Sequence, residues 1–260
     1  MSVIIIPRKR RIGVGRIKVA AEWESQNLVS CFAVSNGAFL DVSSRDIRPV
    51  SGTAPSVAPS SRGLAAKFSG SQSMLLSDYL PPYPRTRVAL CTPATSAAII
   101  ALSGCNGGST GMEFRLNAGR ISLVIAGIQE VLLDSRVLTA GQTYCLGGLM
   151  RSGRNEAWID GRLSASNAVT HSPLNNPLTV FLGERGNGAE RWQGDIQFHA
   201  DFAGELSREQ LAALTSDPRQ LFTDDPIRIY SLPTGAITLN SLTMSAITQN
   251  TARATLGLTR

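Results

Sequence analysis

Between Arg87 and Phe202 apolar and polar residues alternate in short runs, the period-two signature of half-buried strands. The runs predict strands at Arg87–Cys91, Ala97–Ser103, Met112–Asn117, Arg120–Ala126, Gln129–Asp134, Gln142–Arg151, Asn155–Ile159, Arg162–Ala165, Thr179–Gly183 and Trp192–Phe202. Turn residues separate many of them ("NGGSTG", "NAG", "SGRN", "GNG"), and Asp160-Gly161 suits a two-residue type I′ hairpin because both residues accept positive φ. Upstream, Ser2–Ile6, Ile17–Ala21, Leu28–Val34 and Gly63–Phe68 are strand-like, whereas Val50–Arg62, "VSGTAPSVAPSSR", reads as a linker or long loop. One helix interrupts the β pattern late in the chain. Ser207 with Gln210 three residues on forms a capping box, Leu206 and Leu211 sit at staple spacing, and Pro218 ends the segment. Many short strands with one late helix predict an all-β, two-sheet antiparallel sandwich with extended N- and C-terminal segments.

The segment 157–163, "AWIDGRL", and the segment ending "LTVFLGERGNGAERWQGDIQFHADFAGELSREQLAAL" resemble the C-terminal half of laminin-G-like and concanavalin A-like jelly-roll domains. The features are a strand closing on an Asp-Gly turn, a strand ending near Gly, a Trp-x-Gly-x-Ile strand and a late Leu-Ser helix start. The resemblance covers roughly Gly63–Phe222 and implies three regions: residues 1–62 as arm, strands and linker, 63–225 as the lectin-like sandwich, and 226–260 as a strand-like extension for assembly. The flanks "MSVIIIPRKRR", "DPRQLF" and "TDDPIRIYSLP" resemble virion proteins of tailed bacteriophages. That resemblance implies a non-enzymatic virion protein of the tail tip, baseplate or fibre, made in the host cytoplasm. Its partners would be other phage structural proteins, further copies of itself, or a host surface glycan. The alternatives are a capsid decoration protein and a carbohydrate-binding module of a glycan-active protein.

Charge adds one feature. The formal net charge is +6, and five Lys/Arg fall within Arg8–Arg16, "RKRRIGVGR". No aromatic residue interleaves them, so phosphate contacts there would be nonspecific, and a docking arm is the favoured role. The reading includes no membrane insertion. "MSVIII" has its apolar and basic parts in the reverse of signal-peptide order.

Candidate chemistry is sparse. No carboxylates fall in the E-x-D-x-x-E pattern of a retaining glucanase, and Glu184 and Glu190, in "GERGNGAER", read as solvated loop charges. Asp195 is expected to face solvent or make a corner hydrogen bond. His171 and His199 lack partners at ligand or triad spacing, and "SGCNGGSTG" lacks the Lys-Ser/Thr of a phosphate cradle. Cys31, Cys91, Cys105 and Cys145 have no C-x-x-C pairing and read as buried apolar residues; Cys91 and Cys105 are the pair to consider for a disulfide. Trp158 and Trp192 are expected in the core, while Trp23 stays open. Binding candidates are Tyr79 and Tyr83 in "DYLPPYP", for stacking on a sugar, and the loop residues Asn106 and Asn187. Some relatives hold calcium at the sandwich rim, which here would draw on Asn106, Asn187 and Asp134, without an acidic cluster to support it. The reading therefore assigns no catalytic residue, no metal ligand and no cofactor.

Overall fold

The computed structural model describes residues 17–76, 85–105, 111–125, 129–171, 180–186, 188 and 190–224. Strand β2 (Leu28–Ser35) is buried at every position, which a sheet covered on one face would not produce. Phe32 and Val34 enter one apolar cluster, and Cys31 and Ala33 enter another. Since successive side chains of a strand point to opposite faces, β2 lies in a sheet covered on both.

That sheet has the order β15 (Arg162–Asn167), β14 (Arg154–Ile159), β13 (Tyr144–Arg151), β8 (Arg85–Pro93), β17 (Gln193–Phe202), β2 and β3 (Ala38–Asp41). Strand β17 also pairs β6 (Gly63–Ser69), which carries β5 (Ser56–Ser60). The facing sheet runs β12 (Gln129–Leu133), β11 (Arg120–Ile125), β10 (Met112–Asn117), β9 (Ile99–Cys105), β16 (Val180–Leu182), β7 (Ser73–Leu76) and β4 (Pro49–Thr53). Every pairing between named strands is antiparallel, including the small ribbon of β1 (Ile17–Val19) with β18 (Phe222–Asp224). The fold is thus the expected all-β two-sheet sandwich.

Between the sheets pack Phe32, Phe114, Leu123, Leu146, Trp192 and Ile196. The second cluster covers the outer face of the larger sheet. There α1 (Ala21–Glu24) brings Trp23 edge-on to Phe202, with centroids 6.2 Å apart, so the open assignment of Trp23 resolves as core. Helix α2 (Arg208–Ser216) adds Leu211 and Leu214, and the 3-10 turn Pro218–Leu221 adds Leu221. The capping box forms as expected: Gln210 N donates to Ser207 Oγ at 3.2 Å, and Ser207 N donates to the Gln210 side chain at 2.8 Å. No helix among the described residues is long and apolar enough to cross a membrane.

Two glycines explain local motifs. Gly161 (φ 83°) follows Asp160 (φ 48°) in the predicted type I′ turn. Gly194 of the Trp-x-Gly-Asp motif has φ 131°, and a Cβ there would stand 2.1 Å from the Thr92 carbonyl oxygen. The motif is backbone packing between β17 and β8.

The structure revises the reading upstream of Gly63. Val50–Arg62 is no linker: it supplies most of β4 and all of β5, which join opposite sheets. Pro55 falls between the two strands, and Pro59 fits within β5 because that strand lies at a sheet edge, where a missing N–H donor is tolerated. Strands β2 and β3 extend the larger sheet, so the sandwich takes in residues well before the expected start. The basic arm and the extension 226–260 lie outside the described residues.

Candidate functional site

One end of the sandwich gathers described termini of β7, β9, β10, β11, β12 and β16. Val180 sits opposite both Leu76 and Cys105, Met112 opposite Ile125, and Ile125 opposite Gln129. Arg87 ties the other sheet to this end by donating from Nη1 to the Met112 carbonyl at 2.7 Å. Tyr79, Tyr83, Asn106 and Asn187 themselves lie outside the described residues.

Beneath this end, between the sheets, lies a buried polar cluster that sequence reasoning missed. Arg87 Nε donates to Asp201 Oδ2 at 2.9 Å, Arg85 Nε stands 3.6 Å from Asp201 Oδ1, and both members of the closer pair are fully buried. Burial opposes ionisation of Asp201, but the charges of Arg85 and Arg87 outweigh it and hold the carboxyl below its ordinary range. Ser103 Oγ and His199 Nε2 are 2.9 Å apart. A serine on a histidine, with an aspartate two residues along the strand, has the composition of a nucleophile, base and acid. The geometry does not: Asp201 is engaged by arginine, and Ser103 and His199 are 0% and 1% exposed. Burial, helped by the Arg87 charge, pushes His199 down to about 3, so it is neutral and wedged in the core. The signal available in sequence was the spacing of Arg85, Arg87, His199 and Asp201, each at alternate positions on one strand face.

The outer face of the smaller sheet carries a ladder of ion pairs. Glu113 and Arg115 project from β10, Ser122 from β11 and Glu130 from β12. The loop Gly183–Arg191 folds over them, passing close above Gly104, where a Cβ would meet the Arg185 Cα at 2.7 Å. Arg185 clamps two carboxylates, with Nε 3.0 Å from Glu113 Oε1 and Nη1 2.8 Å from Glu190 Oε1. Arg115 Nη1 reaches Glu190 Oε2 at 3.0 Å, and Ser122 Oγ bonds Glu130. Glu184 is 4% exposed and pairs with Arg191 at 3.1 Å. Glu184 and Glu190 are therefore not the solvated loop charges expected; the loop turns them onto the sheet, with Glu190 at φ 53°. Burial raises the Glu113 carboxyl above its ordinary range despite its two arginines. Asp195, expected to face solvent or make a corner hydrogen bond, is instead part-buried within the sheet, opposite Lys67 of β6 and ion-paired with it at 2.6 Å.

A third feature is a cleft of about 820 Å³ at the free side of β3, walled by β1, α1, the β2–β3 hairpin and the turn after β3. Asp41 builds that turn, accepting from the backbone N–H groups of Cys31, Ser43 and Ile47 and from the Ser43 hydroxyl. Lys18, Glu24, Leu40, Asp46 and Arg48 line the rest, with Leu40 39% exposed.

All four cysteines are free and buried. Burial pushes the Cys105 thiol up to about 11 and raises the other three. Among the described residues no group of three His, Cys, Asp or Glu side chains could hold a metal ion. Of the suggested calcium ligands only Asp134 is described; it is buried, and Oδ1 accepts from Arg136 N at 3.0 Å. His171 Nε2 stands 3.3 Å from Asn155 Oδ1.

No protein-family model matches the sequence, and no curated protein does. Solved structures do match the fold. Domain 4 of AbnA, an extracellular arabinanase from Geobacillus stearothermophilus solved with arabinotriose, has TM-score 0.60 and 15% identity, over 77% of this chain and 99% of that one. The binding domain of Paraclostridial Mosquitocidal Protein 1 has TM-score 0.60 and 10% identity, over 73% of this chain and 52% of that one. The receptor binding domain of botulinum neurotoxin D has TM-score 0.56 and 14% identity, over 74% and 53%. The chain thus spans about half the length of the toxin domains and nearly all of the arabinanase domain. At these identities the likeness is one of fold: a jelly-roll sandwich shared with an arabinanase domain and with toxin domains named for binding.

Proposed function

We propose that this chain is a non-enzymatic binding protein of a tailed-phage virion, in the tail tip, baseplate or fibre. Its sandwich would serve as a lectin-like module for a host surface glycan or a neighbouring subunit. The observation that carries the binding role is the match of the sandwich to nearly the whole of a domain solved with arabinotriose. The pairing of five carboxylates agrees with it. Glu113, Glu156, Glu184, Glu190 and Asp201 are each engaged by arginine, whereas acid–base hydrolysis needs one carboxyl free to give a proton and another free to attack or activate water. The virion assignment rests on the sequence flanks. The alternative reading, a carbohydrate-binding module of a glycan-active protein, draws on the same arabinanase domain.

Two measurements test the proposal. The purified chain is applied to an array of neutral and acidic bacterial and host glycans, and phage particles are digested for mass spectrometry. Retention on a glycan surface without release of reducing ends, together with peptides of this chain in the particles, is expected. Reducing-end release abolished by Glu190→Gln would overturn the non-enzymatic reading, and absence from purified particles would overturn the virion assignment.

A further inference from the structure

The end of the sandwich opposite Met112 and Val180 is built from short turns. The β10–β11 hairpin turns at Ala118 and Gly119, and the β14–β15 hairpin at Asp160 and Gly161. The segment after β12 runs beside the first turn, with Asp134 N donating to the Ile121 carbonyl and Leu138 N to that of Gly119, both at 2.8 Å. It then crosses to the larger sheet, where Gly141 N donates to the Pro93 carbonyl at 2.8 Å. The tip of the β5–β6 hairpin joins them, since Ser61 Oγ stands 3.0 Å from Thr143 Oγ1.

Each of these turns carries an arginine with no carboxylate in reach. Arg62, Arg136 and Arg162 are exposed and Arg120 is half-buried. Among the described residues none of the four is ion-paired, whereas every other described arginine except Arg45 is. The hydrogen bonds on either side set Arg136 alongside Arg120, and like charges facing one another cost stability. The carboxylates nearby are committed elsewhere. Asp134 is buried, with Oδ1 accepting from Arg136 N at 3.0 Å, and Asp160 Oδ1 accepts from Cys145 N at 2.8 Å. Asp217, next to the Ser216 that packs on Gly161, is matched by Arg219, and Glu130 by Arg115. The turns thus hold an excess of positive charge on loops fixed by a rigid sandwich, the usual setting of binding residues.

Charge, and not ring stacking, is what this end offers a ligand. Among the described residues no aromatic side chain is exposed, so a neutral sugar or a nucleic-acid base finds no ring to stack on. Val137, 60% exposed and lying against Gly119, gives apolar surface beside Arg120 and Arg136 for the C–H face of a sugar. The four guanidinium groups stand on separate turns from both sheets, which fits a chain with anionic groups at intervals better than one compact anion. We propose that this end binds an acidic polysaccharide, its sugar carboxylates pairing with Arg62, Arg120, Arg136 and Arg162, whose planar forks match that group. The inference rests on the glycan-binding reading and names the ligand class.

The test uses the full chain on immobilised hyaluronate, alginate and polysialic acid, with the carboxyl-reduced form of each, neutral arabinan and duplex DNA beside them. Retention on an acidic polymer is expected, weakening at least about tenfold from low to high salt and lost on its carboxyl-reduced form. The variant Arg62→Gln/Arg120→Gln/Arg136→Gln/Arg162→Gln is expected to bind at least about tenfold more weakly, because four individually weak surface pairs act together on one chain. Its melting curve should be unchanged, and Arg45→Gln should bind like the parent. Acidic-polymer binding that survives in the quadruple variant, or that salt leaves untouched, would overturn the proposal. Retention on arabinan alone would overturn the acidic ligand and leave glycan binding standing, whereas retention on no polymer would overturn both. DNA held as tightly as the acidic polymers through the same arginines would replace the polysaccharide assignment with a general polyanion surface.

Discussion

Replacing Asp201 by Ala should be among the most damaging single substitutions in the sandwich. The carboxylate is fully buried, bonded to Arg87 Nε at 2.9 Å and 3.6 Å from Arg85 Nε. Its removal leaves two guanidinium groups in the interior, Arg87 with only the Met112 carbonyl as a described hydrogen-bond acceptor. Breaking a buried pair from one side costs about 3–5 kcal/mol, against a typical domain stability of about 5–15 kcal/mol. Arg87→Met should cost less, about 2–4 kcal/mol, because Arg85 still faces the remaining carboxylate. Removing both charges together, as Arg87→Met/Asp201→Leu, should recover much of the loss, since an apolar pair needs no compensation there. Equilibrium urea unfolding, followed by fluorescence of the buried Trp23, Trp158 and Trp192, measures each variant and closes a double-mutant cycle. A cost below about 1 kcal/mol for Asp201→Ala, or single losses that simply add, would refute the argument that this pair is energetically coupled in the core.

Other outcomes follow from the same structure. His199 is held at about 3 by burial, below the ordinary histidine value of 6.5, so the unfolded chain takes up the proton first. The stability it protects should be complete above about pH 6.5 and be lost progressively as pH falls toward about 3; His199→Gln should flatten that part of a pH–stability curve, and an unchanged curve would remove His199 as its source. Gly194→Ala should cost about 2–5 kcal/mol in urea unfolding, because φ 131° is strained for alanine and its Cβ would overlap the Thr92 carbonyl oxygen. Ser207→Ala should cost about 1 kcal/mol through loss of the N-cap, read as a lower melting temperature; no change would mean the box contributes nothing net.

The sequence by itself determined the fold class, since period-two alternation and turn residues leave a chain few ways to bury its apolar side chains other than sheet on sheet. It also determined the closing helix, because a capping box is a local device that needs only Ser207, Gln210 and the backbone between them. Tertiary structure decided what local pattern cannot encode. Val50–Arg62 has the composition of a linker, yet it forms edge strands once β7 and β6 are there to pair with, Pro55 falling between them and Pro59 tolerated within β5. Glu184 and Glu190 look solvated in a Gly-rich loop, but the loop folds onto a sheet face that supplies Arg115, and its own Arg185 and Arg191 close on the carboxylates. Arg87 and Asp201, 114 residues apart, become partners only through the register of β8 with β17. A charge in a sequence carries no sign of its depth or its partner; both are set by long-range pairing, where the energies of burial and ion pairing are decided.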